Sequence, residues 1–483
     1  MLFDKIFKDS FVYGFAEIFT KLVIFACLPV IANILSPRDF GFYELIITIS
    51  AIVSLLINCG QNNATSRFFW DKDVNNETKV TIVSTSFMIL ICFSTTFLFL
   101  ILPILFVIPD YLQKWNWPVS LLGIISAALL IVFNQIIQFN FDVLRLNFKK
   151  WIYFNISILS RCLGIIFAML SVVFLDWGID GLFISQTLFI MIFIPLSFFY
   201  VKKYFSASNF NFSWAKQLFK YGYPYIYASL AYWIIVSIDR WMLAYMTNVT
   251  EVGIYSIAAR FSYIPLMISI AFGQAWSPIA IKIKTEFPNL YKTIYGNILY
   301  CLFLIMCIVG GFVAIFSKEI INLVMNEEFL SSFIPLVFLS IGVTFYSTQQ
   351  VTLIGISIEK KTYILAKISW LTAMINLMLN FFLIPILGTV GASIATFLSW
   401  LIMTILYLYY TQKLHPIDTN VVKLLFISFI FIVFCMFSLY IDLVFKSNYI
   451  SIKVFIFILM IFLIFILLPI KSIKMTLFKN LNY

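Results

Sequence analysis

Apolar residues run through this chain in long stretches, broken by short polar turns that carry most of the charge. Fourteen such stretches can be marked: 11–35, 40–66, 80–108, 119–143, 152–175, 179–200, 219–245, 251–278, 291–316, 333–357, 362–384, 388–411, 421–445 and 450–470. A membrane-spanning helix needs about 20 mostly apolar residues, and a spanning strand only about half as many with alternating polarity. Lipid offers no partner to an open backbone group, so stretches of this length predict helices. No small-residue cleavage site follows the first stretch, so it is expected to remain as a helix.

The polar turns give the expected orientation. With the N-terminus cytoplasmic, external segments hold only Arg38, Lys114, Lys318, Lys446 and Lys453, and most of the 32 Lys and Arg fall on the cytoplasmic side. Cytoplasmic loops collect Lys and Arg, so both termini are expected inside.

The pattern also repeats. Phe40-Gly41-Phe42-Tyr43 is echoed by Val252-Gly253-Ile254-Tyr255. Lys149-Lys150 with Tyr153 is echoed by Lys360-Lys361 with Tyr363, and Gly178-Ile179-Asp180-Gly181 by Gly388-Thr389-Val390-Gly391. An offset of about 210 residues, three times over, predicts a doubled unit of six spans, both copies in one orientation. The expected fold is an all-α integral membrane protein of 14 transmembrane helices. Residues 1–208 form an N-lobe of six spans, 209–415 a C-lobe of six, and 416–483 two further helices with a cytoplasmic tail.

Composition agrees: 63% of residues are hydrophobic and 11% charged, against about a quarter charged in a soluble domain. The net charge of +11 follows from the loop bias and does not point to nucleic acid. The seven cysteines show no CxxC pair and no metal spacing. The single histidine, His415, cannot alone build a triad or a metal site, and no phosphate-binding loop or HExxH motif appears. No loop is long enough for a catalytic domain, so no catalytic residue, metal or cofactor is expected.

Five cations fall inside the apolar stretches: Lys21, Arg161, Arg240, Arg260 and Lys367. Each costs about 2.5–3.5 kcal/mol at a helix centre on insertion scales, so each needs a partner or a hydrated cavity. Glu17 and Lys21 share one helix face at i, i+4, which suits either a bridge between helices or a cavity wall. Asp239 and Arg240 are adjacent, about 100° apart around a helix, and are not expected to pair simply. Lys367 lies near a helix end, where it can snorkel or line a cavity. A surplus of buried cations would suit an anionic substrate. Amides such as Asn58, Asn134, Gln135 and Gln138 suit either helix–helix bonds or sugar hydroxyls.

Three segments carry a family resemblance: Ala32-Asn33-Ile34-Leu35-Ser36-Pro37-Arg38-Asp39-Phe40-Gly41-Phe42-Tyr43; Ser237-Ile238-Asp239-Arg240-Trp241-Met242-Leu243 with Val252 to Ala258; and Asn376 to Asn380 with Pro385 to Thr396. In them the chain resembles the Wzx-type polysaccharide flippases of the multidrug/oligosaccharidyl-lipid/polysaccharide exporter superfamily. The resemblance implies a monomer in the bacterial cytoplasmic (inner) membrane. Such a protein moves undecaprenyl-diphosphate-linked oligosaccharide to the outer leaflet by alternating access, for O-antigen, capsule or exopolysaccharide. Lys21, Arg161, Arg240, Arg260 and Lys367 would attract the diphosphate or acidic sugars. Glu17 or Asp239 would couple transport to H+ or Na+. A glycan polymerase and a chain-length regulator are the implied protein partners. Three readings compete: a peptidoglycan-precursor flippase, a multidrug or cation antiporter of the same superfamily, and a membrane glycan polymerase.

Overall fold

The computed structural model describes residues 2–71, 75–114, 117–359, 361, 363–445 and 449–468. Among them the chain is all-helical, in two compact units, Met1–Trp233 and Ile234–Tyr483.

The first unit holds α1 (Leu2–Ile34), α2 (Pro37–Asn58), α3 (Gln61–Phe69), α4 (Asn76–Lys114), α5 (Leu121–Leu146), α6 (Lys150–Leu175) and α7 (Gly178–Val201), with the first part of α8 (Phe212–Met246). The stretch expected as one helix over 40–66 is broken. Cys59 and Gly60 both take left-handed backbone (φ 49° and 73°), and the chain re-enters a helix at Gln61. Gly60 also meets Gly222 of α8 so closely that a Cβ would lie 2.6 Å from the Gly222 carbonyl carbon. Bonds between helices satisfy many buried polar groups: Asn140 Nδ2 donates to Ser197 Oγ (2.8 Å), and Trp233 Nε1 to the Thr48 carbonyl (3.0 Å). Asn58 Nδ2 likewise donates to Gln135 Oε1 (3.4 Å). Such bonds join helices that lipid would otherwise leave indifferent to one another.

The second unit holds the rest of α8, then α9 (Val249–Ser262), α10 (Ile264–Glu286), α11 (Tyr291–Ile315), α12 (Ser317–Val324), α13 (Phe333–Ser347), the short α14 (Gln349–Thr352) and α15 (Ile354–Ile358), α16 (Tyr363–Leu414), α17 (Val421–Val444) and α18 (Ile450–Leu467). Between α9 and α10 the axis bends by 41°, where Pro265 has no N–H to carry the ladder across. Within the 52 residues of α16, Gly388 departs from helical geometry (φ 56°, ψ −131°). The chain folds back there: a Cβ on Gly391 would lie 3.1 Å from the Ile384 nitrogen.

Paired features appear at the spacing of the sequence repeat. Ser36 caps α2 by accepting from the Asp39 N–H (3.1 Å), and Asn248 caps α9 by accepting from the Glu251 N–H (3.0 Å). Gly178 and Gly388 both take positive φ, 50° and 56°.

Among the described residues, eleven helical stretches are long and apolar enough to cross a membrane, or twelve with the bent pair α9–α10. This is fewer than the fourteen stretches of the sequence. Two of those lie together in α16, and tyrosine-rich α8 is less apolar than the eleven. The chain is a multi-pass membrane protein.

Lys453, counted with the external segments from sequence, lies in the first turn of α18 with 1% of its side chain exposed. Its ammonium donates to Glu319 Oε2 and Asp442 Oδ2, each at 2.7 Å, tying α18 to α12 and α17. Removing one member of a buried ion cluster leaves the others uncompensated, at a cost of about 3–5 kcal/mol. Lys453→Met should therefore lower the thermal midpoint of the purified protein, read by tryptophan fluorescence. Adding Glu319→Gln and Asp442→Asn should restore most of the loss. An unchanged midpoint in the single variant would show that the cluster contributes nothing.

Candidate functional site

Three charged residues singled out from sequence meet in the first unit. Glu17 and Lys21, one turn apart on α1, face Arg161 of α6 across a cavity of about 380 Å³. Thr20, Asn134, Ser160 and Gln186 add hydroxyls and amides to its wall. The i, i+4 spacing sets both α1 charges on one face, and α5, α6 and α7 bring the rest. Two cations against one carboxylate leave this lining with surplus positive charge.

Arg161 is also tied inward. Its guanidinium donates to Gln138 Oε1 (2.7 Å) and lies 5.5 Å from the Phe141 ring centroid. Gln138 in turn donates through Nε2 to Asp142 Oδ1 (3.2 Å), and Asp142 is ion-paired with Arg145. Gln138, Asp142 and Arg145 line a second cavity of the same unit, about 600 Å³, with Asn58, Asn62, Asn63, Ser66 and Trp70 on its other side. A hydrogen-bonded chain, Arg161–Gln138–Asp142–Arg145, thus runs from one cavity to the other. Sequence reasoning missed Asp142 and placed Arg145 in a loop, although their i, i+3 spacing at the end of an apolar stretch was a usable signal.

The second unit gathers Asp239 and Arg240, which sequence reasoning expected to point apart. Their side chains are 2% and 5% exposed, and Arg240 Nη1 lies 3.6 Å from Asp239 Oδ1. The arginine is long enough to curl back along its own helix, donating from Nη1 to the Val236 carbonyl (2.8 Å) and from Nε to Ser256 Oγ (3.0 Å). The Asp239 carboxylate accepts from Tyr255 Oη and from Thr396 Oγ1 (3.5 Å), so α8, α9 and α16 converge on it. Arg260 is half-buried in the last turn of α9, beside the bend. Lys367 is exposed, its ammonium 5.4 Å from the Tyr363 ring centroid, as snorkelling expects.

Comparison with known proteins places this architecture. A family described as polysaccharide biosynthesis protein matches residues 6–284, the first unit apart from its first five residues, and α8 to α10 apart from the last two residues of α10. The chain belongs to that family. This agrees with the resemblance to Wzx-type flippases. A "Putative O-antigen transporter" of Shigella flexneri is 26% identical over 418 residues, 83% of this chain and 96% of that one. A "Probable low-salt glycan biosynthesis flippase Agl15" of Haloferax volcanii is 26% identical over 207 residues. The chain spans 43% of the Haloferax protein and 63% of the Lsg locus putative protein 1 of Haemophilus influenzae. In fold it is similar to lipid II flippase MurJ in an inward closed conformation (TM-score 0.67, 16% identity, 98% of this chain and 100% of that one). It is also similar to an inward-facing multidrug resistance MATE family transporter (TM-score 0.61, 15% identity, 81% and 93%).

One further cluster of the chain lies at the ends of the membrane-capable stretches. His415, 2% exposed, stacks on Tyr291 at 4.8 Å, with Nδ1 3.3 Å from Glu359 Oε1 and 3.5 Å from Lys284 Nζ. Lys284 donates to the same Glu359 oxygen (3.0 Å) and holds that carboxyl below its usual range. Neither partner was foreseen, since Glu359 and His415 are 56 residues apart. Burial pushes the His415 imidazole below its ordinary pKa; repulsion from Lys284 and Lys292 adds to this, and Glu359 opposes it. The folded chain therefore resists a proton that the unfolded chain accepts near the ordinary value of about 6.5, so stability contributed here is lost as pH falls. Between pH 7.5 and pH 5.5 the thermal midpoint should fall more in wild type than in His415→Gln. Equal falls would remove His415 from the pH response.

Proposed function

We propose that this protein carries a lipid-linked oligosaccharide across a bacterial cytoplasmic membrane by alternating access. The lipid stays in the bilayer, and the diphosphate head group and its glycan pass through a polar interior. The observation that carries the reading is the meeting of Lys21, Arg161 and Glu17 in one polar cavity inside the family-matched segment. Two cations beside hydroxyls and amides suit a diphosphate joined to sugars, since charge-assisted bonds to phosphate are about twice as strong as neutral ones. The relatives' names, an O-antigen transporter and a glycan biosynthesis flippase, support the same class of cargo.

In this reading the chain crosses the membrane fourteen times with both termini cytoplasmic. The Gly388 break divides α16 into two spans, the bent pair α9–α10 forms one, and α8 supplies the last. Arg240 and Arg260 supply further positive charge within the second unit, and Lys367 meets head groups at the membrane surface. Glu17 or Asp239 couples movement to H+ or Na+. Asp239 holds its carboxylate among Tyr255, Thr396 and Arg240, a set of groups able to exchange a proton or a small cation. The protein acts as a monomer and delivers cargo to a glycan polymerase and its chain-length regulator. A peptidoglycan-precursor flippase is the second reading. Its cargo has the same diphosphate, and the MurJ likeness favours its fold.

In a strain lacking this gene, the wild-type chain should restore surface glycan. Lys21→Gln and Arg161→Gln should each lower it about tenfold at equal membrane levels, the equivalent of one lost charge-assisted bond. Arg161→Lys should keep more than Arg161→Gln, because it keeps the charge. Normal surface glycan in the Lys21→Gln, Arg161→Gln double variant would sink the assignment. Restoration of cell-wall growth, with surface glycan unaffected, would favour the second reading.

A further inference from the structure

The two cavities of the first unit differ in chemistry. The 380 Å³ cavity is lined by charges that do not cancel, with Lys21 and Arg161 against Glu17. Among the described residues lining the 600 Å³ cavity, the charged groups are Asp142 and Arg145, already paired with each other, so this described lining carries no net charge. What remains there is amide, hydroxyl and one indole: Asn58, Asn62, Asn63, Ser66, Gln138 and Trp70.

The local fold produces this arrangement. The left-handed residues Cys59 and Gly60 end α2 and restart the chain as α3. Asn62, Ser66 and Trp70 then follow at intervals of four along one face of α3 and its end, and Gln138 and Asp142 stand at the same interval on α5. Two polar stripes face each other across the cavity.

The amide inventory is unfilled. Asn62 Oδ1 is buried and has no hydrogen-bond partner. Asn63 and Ser66 are exposed on the cavity side, and Asn58 makes only a long bond, 3.4 Å, to Gln135. A buried acceptor without a partner is costly to keep, so a ligand donor that reached it would be favoured. Trp70 remains 54% exposed, although Lys79 lies 4.4 Å from its ring and Phe148 packs against it at 5.9 Å. It offers an apolar face that is held in place and open.

We infer that this second cavity is a subsite for a neutral sugar of the carried glycan. A sugar hydroxyl both donates and accepts, as does an amide, so Asn62, Asn63 and Gln138 can each bond the hydroxyls of a pyranose ring. The C–H face of the ring lies on Trp70. A volume of 600 Å³ falls within the range of about 300–1,000 Å³ usual for small-molecule sites. An anionic group is better served next door, where the cations are in surplus. Gln138 joins the subsites, accepting from Arg161 on one side and donating to Asp142 on the other. The diphosphate and the sugars are thus recognised by separate groups linked through one amide. This inference rests on the flippase reading for its cargo, but its test does not use transport.

The full-length protein, purified into lipid nanodiscs, is titrated with chitotriose, a neutral trisaccharide of N-acetylglucosamine, while tryptophan fluorescence is followed. Wild type should show a saturable change. Asn63→Ala, which removes an exposed amide and leaves packing untouched, should bind about tenfold more weakly, as one lost hydrogen bond predicts. Trp70→Leu should abolish the change, with its folding checked by circular dichroism. No saturable change in wild type, or equal affinity in wild type and Asn63→Ala, would overturn the subsite even if cells export glycan normally. Saturable, Asn63-dependent binding in a protein that fails to restore surface glycan would uphold the subsite and overturn the flippase reading instead.

Discussion

A charge inside an apolar helix bundle has to find its partner within the protein, because the lipid supplies none. That requirement organises this structure more than any apolar contact does. Insertion of a single charged side chain at a helix centre costs about 2.5–3.5 kcal/mol, so unpaired charges would quickly exhaust the stability of a domain. Each interior charge cluster described answers it differently. Lys453 sits between two carboxylates, Arg240 curls back to its own helix and to Asp239, and Arg161 is held by Gln138 beside a polar cavity. In the first two the cation is closed in, with almost no exposure. The third is open, and open polar space within a membrane bundle is where cargo can be accommodated.

The architecture was largely legible in the chain. Long apolar stretches can only be helices in lipid, and the repeated motifs surface in the structure as matched caps, Ser36 with Asn248, and matched glycines, Gly178 with Gly388. What hydropathy could not register was continuity. An apolar stretch looks the same whether it is straight, broken at Cys59–Gly60, or folded back at Gly388. Backbone conformation at one residue is a local choice that leaves little mark on average polarity.

The site was legible in part, and the dividing line is physical. Glu17 with Lys21 could be read from spacing, because helical geometry alone sets them side by side. The pairing of Asp239 with Arg240 was misread, because the angle between adjacent residues describes Cβ directions and says little about where a long flexible side chain ends. The ion pair of Lys453 was not foreseen because its partner Glu319 is 134 residues away and only tertiary folding unites them. The Gln138 junction was hidden for the same reason: an amide has no preferred partner until the fold supplies one.

Gly388 has a consequence for how the chain is made. At 1.5 Å per residue, the 52 residues of α16 would form a rod of about 78 Å if straight, far beyond the roughly 30 Å of a hydrocarbon core. One glycine in a conformation closed to other residues turns that rod into a hairpin, with no polar loop between its arms. No hydrophilic segment marks where the first arm ends and the second begins. The two arms lie folded against each other, and the reversal between them rests on a residue that has no side chain.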